Sequence, residues 1–176
     1  EMIKKTKFNK KKIFTLDQKL IKNIFKKKIN RYRICLHENE KSSTQSSLIF
    51  TKGFNYFRVH KHPKNVSESY TVIKGKLNVY LLDDNENVIK KIFLEEIGKK
   101  SKLPCFYNLS KSNFHLVLPI TNETIYYEVT NSKFSNKNFI KFLKSSPDYK
   151  SSLTKQIDFV SKISGINIYK QFKIEK

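Results

Sequence analysis

The stretch FRVHKHPKNVSESYTVIKG, residues 57–75, places two of the four histidines of the 176-residue chain one residue apart. Side chains alternate between the two faces of a β-strand, so His60 and His62 point the same way, about 6–7 Å apart along the strand. Such a pair can chelate one ion. Glu68 follows the PKNVS turn, where it can fold back as a third ligand, and His115, in the later run NFHLVLP, can complete the set.

These four side chains can be interpreted in two ways. They are either ordinary polar residues on a half-exposed sheet, or the ligands of one divalent transition-metal ion. Three imidazoles and one carboxylate leave one or two positions open on a five- or six-coordinate ion, which suits Fe, Mn, Ni, Co or Zn. Open coordination positions are a requirement for catalysis at a metal, so the metal reading also allows an enzyme.

The sequence around this stretch predicts a mainly β fold. From Arg31 to about Asn131, short runs rich in Val, Ile, Tyr and Phe are separated by turn residues, as in an antiparallel sandwich or barrel. Residues 76–94, KLNVYLLDDNENVIKKIFL, predict a hairpin in which DDNEN forms the turn. The alternating residues of its first strand that are expected to face inward are Leu77, Val79 and Leu81.

The flanking segments predict helices. Residues 1–14 are a basic, weakly patterned lead-in, and residues 15–29 predict an amphipathic helix with Thr15 as its N-cap. Residues 136–149 predict a short helix that ends before Pro147, and residues 151–165 a second one that stops at Gly165. The period-two pattern of residues 166–174 predicts either an edge strand or an arm onto a second copy of the chain in a homodimer.

The formal net charge of +21 invites comparison with nucleic-acid-binding proteins. Arginine, whose planar fork reads phosphates and bases, occurs only at Arg31, Arg33 and Arg58. Lysine supplies the remaining positive charge and is spread through every segment, as expected from the codons of an AT-rich genome. We therefore expect no specific nucleic-acid partner.

The apolar runs and the cysteines lead to expectations about the cellular location of the protein and about disulfides. No apolar run reaches 18 residues, and EMIKKTKFNKKKIF lacks the apolar core and cleavage site of a signal peptide, so we expect no membrane span and a cytoplasmic protein. Cys35 and Cys105 have neither the number nor the spacing for a disulfide framework or a thiolate metal site.

Two motifs resemble those of the cupin proteins. The spacing Gly53-x6-His60-x-His62-x5-Glu68-x6-Gly75 is close to the first cupin motif. The second motif usually has a P-x-G turn before a histidine. LSKSNFH, residues 109–115, keeps the histidine but has Ser110 and Ser112 at the proline and glycine positions.

Residues 31–50, 77–89 and 106–134 together resemble the WbuC-type cupin metalloproteins, over about residues 15 to 135. The resemblance implies a metal-bearing cupin double-stranded β-helix, a jelly-roll barrel, with an N-terminal helix and a helical C-terminal extension. The expected divisions are residues 1–30 for the lead-in and helix, 31–135 for the barrel, and 136–176 for the extension with its terminal strand or arm. Members of this family are associated with O-antigen and other surface-polysaccharide gene clusters, and their reaction is not settled.

The alternation of side chains along a strand places two further residues beside the proposed metal ligands. Arg58 shares the face of His60 and His62, and Tyr70 shares that of Glu68. Arg58 either binds a phosphate or carboxylate of the ligand or forms an ion pair at the barrel rim.

Further site residues depend partly on the family resemblance. Arg31, Arg33 and His37 fall on one face of RYRICLH and match positions that are typically basic in the resembling family. They suit a diphosphate group, and the alternative is surface ion pairing. Glu128 and Asn131 also match the family's pattern, and either orient the metal ligands or cap a strand end.

Three functions fit these residues. The first is a metal-dependent isomerase or epimerase of a sugar or nucleotide-linked sugar in surface-polysaccharide synthesis, in which the ion polarises a carbonyl or hydroxyl and Tyr70 or Glu128 moves a proton. The second is an Fe(II)-dependent dioxygenase. The third is a non-catalytic cupin that binds or senses a small polar ligand.

Overall fold

The computed structural model describes residues 4–10, 13–132 and 140–175. Its strands are β1 (Lys4–Phe8), β2 (Arg31–Cys35), β3 (Gln45–Lys52), β4 (His60–Lys61), β5 (Glu68–Lys74), β6 (Lys76–Leu82), β7 (Val88–Glu95), β8 (Phe106–Leu109), β9 (Phe114–Pro119), β10 (Glu123–Thr130) and β11 (Lys141–Phe142). Its helices are α1 (Gln18–Phe25), α2 (Leu153–Ser164) and α3 (Ile168–Phe172).

The strands form two sheets. Six strands lie in the order β1-β2-β3-β10-β5-β8, and five in the order β11-β4-β9-β6-β7. All neighbours are antiparallel except β1 and β2. In the described part of the chain, no strand pair joins the two sheets into a closed barrel. The fold is therefore the expected cupin double-stranded β-helix, open at its edges.

Helices cover the outer faces of both sheets. One apolar cluster lies between the sheets, a second joins α1 to the six-stranded sheet through Phe25 and Phe50, and a third joins α2 to the five-stranded sheet through Ile157 and Leu116. Because a strand then has apolar neighbours on both sides, all residues from Leu77 to Leu82 are buried. Burial of apolar area on both faces is the main force that holds these layers together.

The predicted hairpin is confirmed. β6 pairs with β7, and residues 83–87 form the turn between them. Leu77, Val79 and Leu81 face the cluster between the sheets, as their alternation predicts. The intervening Tyr80 and Leu82 face the α2 side.

The N-terminal helix begins later than predicted. Asp17, not Thr15, is the N-cap of α1, and its carboxylate accepts a hydrogen bond from the backbone N–H of Leu20 at 2.7 Å. The lead-in also contains β1, which its sequence pattern does not reveal. β1 is held by backbone pairing with β2, for which almost any side chain is acceptable.

The C-terminal segment differs from its predictions at two places. Residues 136–139 of the first predicted helix lie outside the described residues, and Lys141–Phe142 is a strand that pairs with His60–Lys61. The second predicted helix is confirmed as α2, and Gly165 ends it with a φ of 73°, in the left-handed region that glycine adopts without strain.

The prediction of a terminal edge strand is wrong, while the arm onto a second copy stays a prediction. Residues 168–172 form the short helix α3, which begins at the N-cap Asn167. Ile168 and Phe172 are also spaced as i and i+4, so the apolar pattern fits one face of a helix as well as a strand. Ile168 is fully buried, and the ring of Phe172 packs against that of Phe54 at 6.0 Å.

Candidate metal centre

The inner faces of the two sheets enclose a cavity of about 440 Å³. Its wall includes residues from both sheets, from the lead-in strand β1 and from the C-terminal segment. The residues that carry chemistry there are Lys5, Arg31, Arg33, His37, Glu40, His60, His62, Glu68, Tyr70, Tyr126, Glu128 and Tyr149.

Three histidines and one glutamate converge at this cavity. In the β4–β9 pair His60 lies directly opposite His115, and their ring centroids are 4.3 Å apart. Nε2 of His62 lies 3.5 Å from Oε2 of Glu68, and Nε2 of His115 lies 3.0 Å from the same oxygen. One ligand atom from each of the four side chains lies within 4.8 Å of the other three.

Backbone carbonyls orient two of the imidazoles. Nδ1 of His60 lies 2.9 Å from the carbonyl oxygen of Arg58, and Nδ1 of His115 lies 3.1 Å from that of Asn113. A carbonyl oxygen only accepts, so each Nδ1 carries the proton, and the Nε2 lone pair is left for the cluster. A hydrogen bond from Nδ1 to a carbonyl oxygen is the usual way in which the tautomer of metal-binding histidines is fixed.

Burial and the histidines control the charges of the cluster. Burial lowers the pKa of His60 to about 3, with the charge of His115 as a further cause. Burial alone would raise the pKa of Glu68, but the neighbouring imidazoles of His115 and His62 outweigh burial and hold that pKa well below its ordinary value. At neutral pH the cluster therefore has an ionised carboxylate beside a neutral His60.

The four side chains fit a divalent transition-metal ion. Oε2 of Glu68 and Nε2 of His115 are buried, and within the described residues neither receives a hydrogen bond from an N–H or O–H group. Two such acceptors face each other favourably only when a proton or a cation lies between them. Three imidazole nitrogens and one carboxylate oxygen are the donors that Fe, Mn, Co, Ni and Zn accept, so one such ion would be held by His60, His62, Glu68 and His115.

Arg33 and Glu128 form an ion pair at the cavity wall. Nη2 of Arg33 donates to Oε1 of Glu128 at 2.6 Å. Burial raises the pKa of Glu128, although the positive charge of Arg33 opposes the rise. Tyr70 lies opposite Glu128 in the β5–β10 pair, and burial, together with the charges of Glu68 and Glu128, raises its pKa well above the ordinary value. The phenol of Tyr70 is therefore a proton donor at neutral pH.

Two of the residues suggested for ligand binding do not line the cavity. Nη1 of Arg58 donates to Asp148 at 3.0 Å, and the guanidinium lies over the ring of Phe142 at 4.4 Å, so Arg58 forms the ion pair that was its alternative role. Oδ1 of Asn131 accepts from the backbone N–H of Ser67 at 2.7 Å, which makes Asn131 a cap at the end of a strand.

Arg31, Arg33 and His37 lie at the cavity, as their shared strand face predicts. Nδ1 of His37 lies 3.0 Å from the backbone N of Ser46, and its ring contacts Phe8 edge-on at 5.5 Å. His37 is therefore fixed in place by its neighbours.

Sequence reasoning missed several cavity residues. Tyr126 shares the strand face of Glu128 in TIYYEVT, so the alternation of side chains could have revealed it. Lys5 and Tyr149 lie in segments with no pattern that points to a site, and Phe57 alternates to the face opposite His60 and His62. Only the fold brings these three to the cavity.

The fold and this cluster define a cupin-type double-stranded β-helix with a candidate metal centre. A family model described as a domain of unknown function (DUF6016) matches residues 16–94, less than half of the chain. No curated protein matches the sequence. Among the described residues, no helix is long and apolar enough to cross a membrane.

Several solved structures share the fold at low identity. A crystal structure of CapF with the inhibitor 3-isopropenyl-tropolone has a TM-score of 0.51 at 15% identity, over 63% of this chain and 31% of that one. The capsular polysaccharide assembling protein CapF from Staphylococcus aureus has a TM-score of 0.46 at 16% identity, over 62% and 31%. This chain thus spans about a third of the length of these CapF chains.

A protein from Klebsiella pneumoniae matches over its whole length. It is described as an uncharacterized conserved protein with a double-stranded β-helix domain, and it has a TM-score of 0.51 at 11% identity, over 77% of this chain and 99% of that one. The two likenesses with a TM-score of 0.51 show the fold.

Proposed function

We propose that this chain is a metal-binding cupin of the WbuC type that acts on a sugar or nucleotide-linked sugar in bacterial surface-polysaccharide synthesis. The observation that carries the proposal is one cavity lined both by His60, His62 and Glu68 of the four-residue cluster and by Arg31 and Arg33. The sequence resemblance to the WbuC-type cupins and the fold likeness to CapF, described as a capsular polysaccharide assembling protein, agree with it.

The cavity suits a ligand with two chemically different ends. Its basic side attracts an anionic tail, because guanidinium groups bind phosphate and carboxylate oxygens strongly. A divalent ion bound by the four ligands would act as a Lewis acid towards a carbonyl or hydroxyl oxygen. A nucleotide-linked sugar has an anionic diphosphate at one end and hydroxyl oxygens at the other.

We assign proton transfer to Glu128 and Tyr70. Burial raises the pKa of Glu128, which brings its carboxylate towards the range in which a base exchanges protons near neutral pH. The Tyr70 phenol keeps its proton and so supplies the acid. A carboxylate and a phenol that lie opposite each other on paired strands β10 and β5 suit removal and return of a proton on a sugar carbon, as isomerisation or epimerisation requires.

The test is turnover of a panel of nucleotide sugars and free sugars by the metal-loaded protein, followed by NMR in deuterated water. We expect deuterium to enter one sugar carbon, and Glu128→Gln to abolish this exchange while the metal content stays the same. Oxygen uptake by Fe(II)-loaded protein with the same panel would replace the proposal with a dioxygenase. Ligand binding without exchange or oxygen uptake would replace it with a sensor.

A further inference from the structure

The phenol of Tyr126 is fully buried at the cavity wall, and its hydroxyl has no hydrogen-bond partner among the residues that the structure describes. Its ring is held edge-on by Tyr70 at 5.9 Å and by Phe57 at 6.4 Å, so it has little freedom to turn elsewhere. A buried hydroxyl without a partner is uncommon, because it loses its hydrogen bonds to water without replacement. A ligand atom in the cavity would explain it.

Tyr126 remains protonated at neutral pH. Burial raises its pKa well above the ordinary value and the carboxylate of Glu128 adds to the rise, whereas the guanidinium groups of Arg33 and Arg31 oppose it. The hydroxyl therefore has a proton to donate, and it lies within the electrostatic influence of both arginines.

The two arginines at the cavity differ in their ion pairing. Arg33 is paired with Glu128, whereas Arg31 makes no ion pair with any residue in the part of the chain that the structure describes. Its guanidinium lies 4.7 Å from the centroid of the Phe57 ring. Phe57 thus contacts both Arg31 and Tyr126 and holds them on the same side of the cavity.

We propose that Arg31 and Tyr126 form an anion subsite, in which the guanidinium and the phenol hydroxyl both donate hydrogen bonds to one phosphate or carboxylate group of the ligand. The subsite lies in the same cavity as the metal cluster, so a ligand held here by its anionic group presents its remaining oxygens to the cluster. Arg33 then acts indirectly, since its ion pair orients Glu128. The inference rests on the proposed function only in taking the ligand to be a sugar derivative.

The experiment measures binding of four probes by calorimetry: inorganic phosphate, UDP-glucose, glucuronate and glucose. Phosphate and UDP-glucose test a phosphate ligand, glucuronate tests a carboxylate ligand, and glucose is the uncharged control. The variants are Tyr126→Phe and Arg31→Gln. Tyr107→Phe is the matched control, because the Tyr107 hydroxyl is also buried and unpartnered but Tyr107 does not line the cavity.

We expect Tyr126→Phe to weaken binding of at least one charged probe about tenfold or more, the effect of one hydrogen bond to a charged group. Arg31→Gln should weaken it further, and Tyr107→Phe should leave it within about twofold of wild type. Since Tyr126→Phe removes a hydroxyl that has no partner in the free protein, its melting temperature should not fall. A purely structural role for this hydroxyl predicts the opposite: lower stability and unchanged affinity.

The inference fails if no charged probe binds wild type, or if Tyr126→Phe binds the charged probes as wild type does. That second comparison decides the question even if Arg31→Gln does not fold. Measuring metal content in the same samples separates this inference from the proposed function. A protein that binds no metal but shows these losses refutes the proposed function alone, and a metal-loaded protein without them refutes the anion subsite alone.

Discussion

Oε2 of Glu68 lies 3.0 Å from Nε2 of His115, while Nδ1 of the same imidazole lies 3.1 Å from the carbonyl oxygen of Asn113. The carbonyl requires the proton on Nδ1, so the contact with Glu68 requires either a second proton on His115 or a cation in its place. Although burial alone would lower the pKa of His115, hydrogen bonding to Glu68 outweighs it and raises that pKa. Proton and metal ion therefore compete for one position between these two side chains.

Metal content is the first prediction. The protein reconstituted with Fe, Mn, Co, Ni or Zn should contain about one ion per chain, and His60→Ala or His62→Ala should lose it, because each removes one of four ligands. Elemental analysis after desalting measures this. His37→Ala is the control and should keep the ion, since His37 is held by Ser46 and lies outside the cluster. A wild-type protein that stays empty after reconstitution contradicts the assignment.

Acid should destabilise the metal-free protein through His60. The pKa of His60 in the folded protein is lowered to about 3, from the ordinary value of 6.5 for histidine, mainly by burial. Between these pH values the unfolded chain binds a proton that the folded protein does not, so stability falls as the pH is lowered, by up to about 1.4 kcal/mol per pH unit. Urea unfolding of wild type and His60→Gln from pH 7.5 to 4.5 isolates this effect, because the variant lacks it. If the difference in free energy of unfolding between the two proteins does not change with pH, burial does not keep His60 neutral.

The Arg33–Glu128 ion pair should contribute measurable stability. Its side chains are 35% and 16% exposed, so solvent screens the pair only in part. We expect a coupling free energy of about 1 kcal/mol from the double-mutant cycle of Arg33→Ala and Glu128→Gln. Denaturant unfolding of the four proteins measures it. The pair of Lys61 and Asp84 is the comparison, and its coupling should be smaller because the Asp84 side chain is 79% exposed; equal values would argue against any effect of carboxylate burial.

Gly75 should tolerate no side chain. Its φ is +80°, and an added Cβ would lie 2.6 Å from the carbonyl oxygen of Glu123 and closer still to the Thr121 hydroxyl. Gly53 has a similar φ of +67° with open space around it. Gly53→Ala should therefore cost about 1–2 kcal/mol, for the left-handed backbone alone, and Gly75→Ala clearly more. Thermal unfolding measures both losses of stability. Equal losses in Gly53→Ala and Gly75→Ala would mean that the backbone near Glu123 moves aside freely.

The high positive charge should produce only weak binding to nucleic acids. Scattered lysines contact phosphates without reading bases, so binding should be independent of sequence and lost by about 0.2 M salt. Gel-shift titrations of duplex and single-stranded probes at several salt concentrations measure this. A sequence-selective complex that survives at that salt concentration would overturn the prediction.

Much of the fold follows from local patterns. The alternation of Leu77, Val79 and Leu81 and the DDNEN turn were sufficient to predict the β6–β7 hairpin, because both depend on neighbouring residues. The same reasoning failed for residues 168–172, whose apolar spacing fits a strand and a helix alike. Packing of Ile168 and Phe172 against the five-stranded sheet selects the helix, and the sequence of the segment does not contain that contact.

Local sequence patterns also failed to predict the contacts of single residues near the candidate site. Parity placed Arg58 beside His60 and His62, but parity holds only within a regular strand, and β4 has just two residues, His60 and Lys61. Arg58 precedes the strand and turns towards Asp148. The sequence likewise contains no sign that Arg33 pairs with Glu128, since the two are 95 residues apart.

The sequence by itself determined the types and spacing of the four candidate ligands, the β-rich class of the fold, and the turns and glycines that shape it, because these depend on the local backbone preferences of each residue. The tertiary structure alone decided that His115 lies opposite His60, that Arg33 is matched by Glu128 while Arg31 has no ion pair within the described residues, and that Tyr126 is buried at the cavity wall. Such relationships arise only when the two sheets pack together, since strand register and burial are set by contacts between residues far apart in the chain.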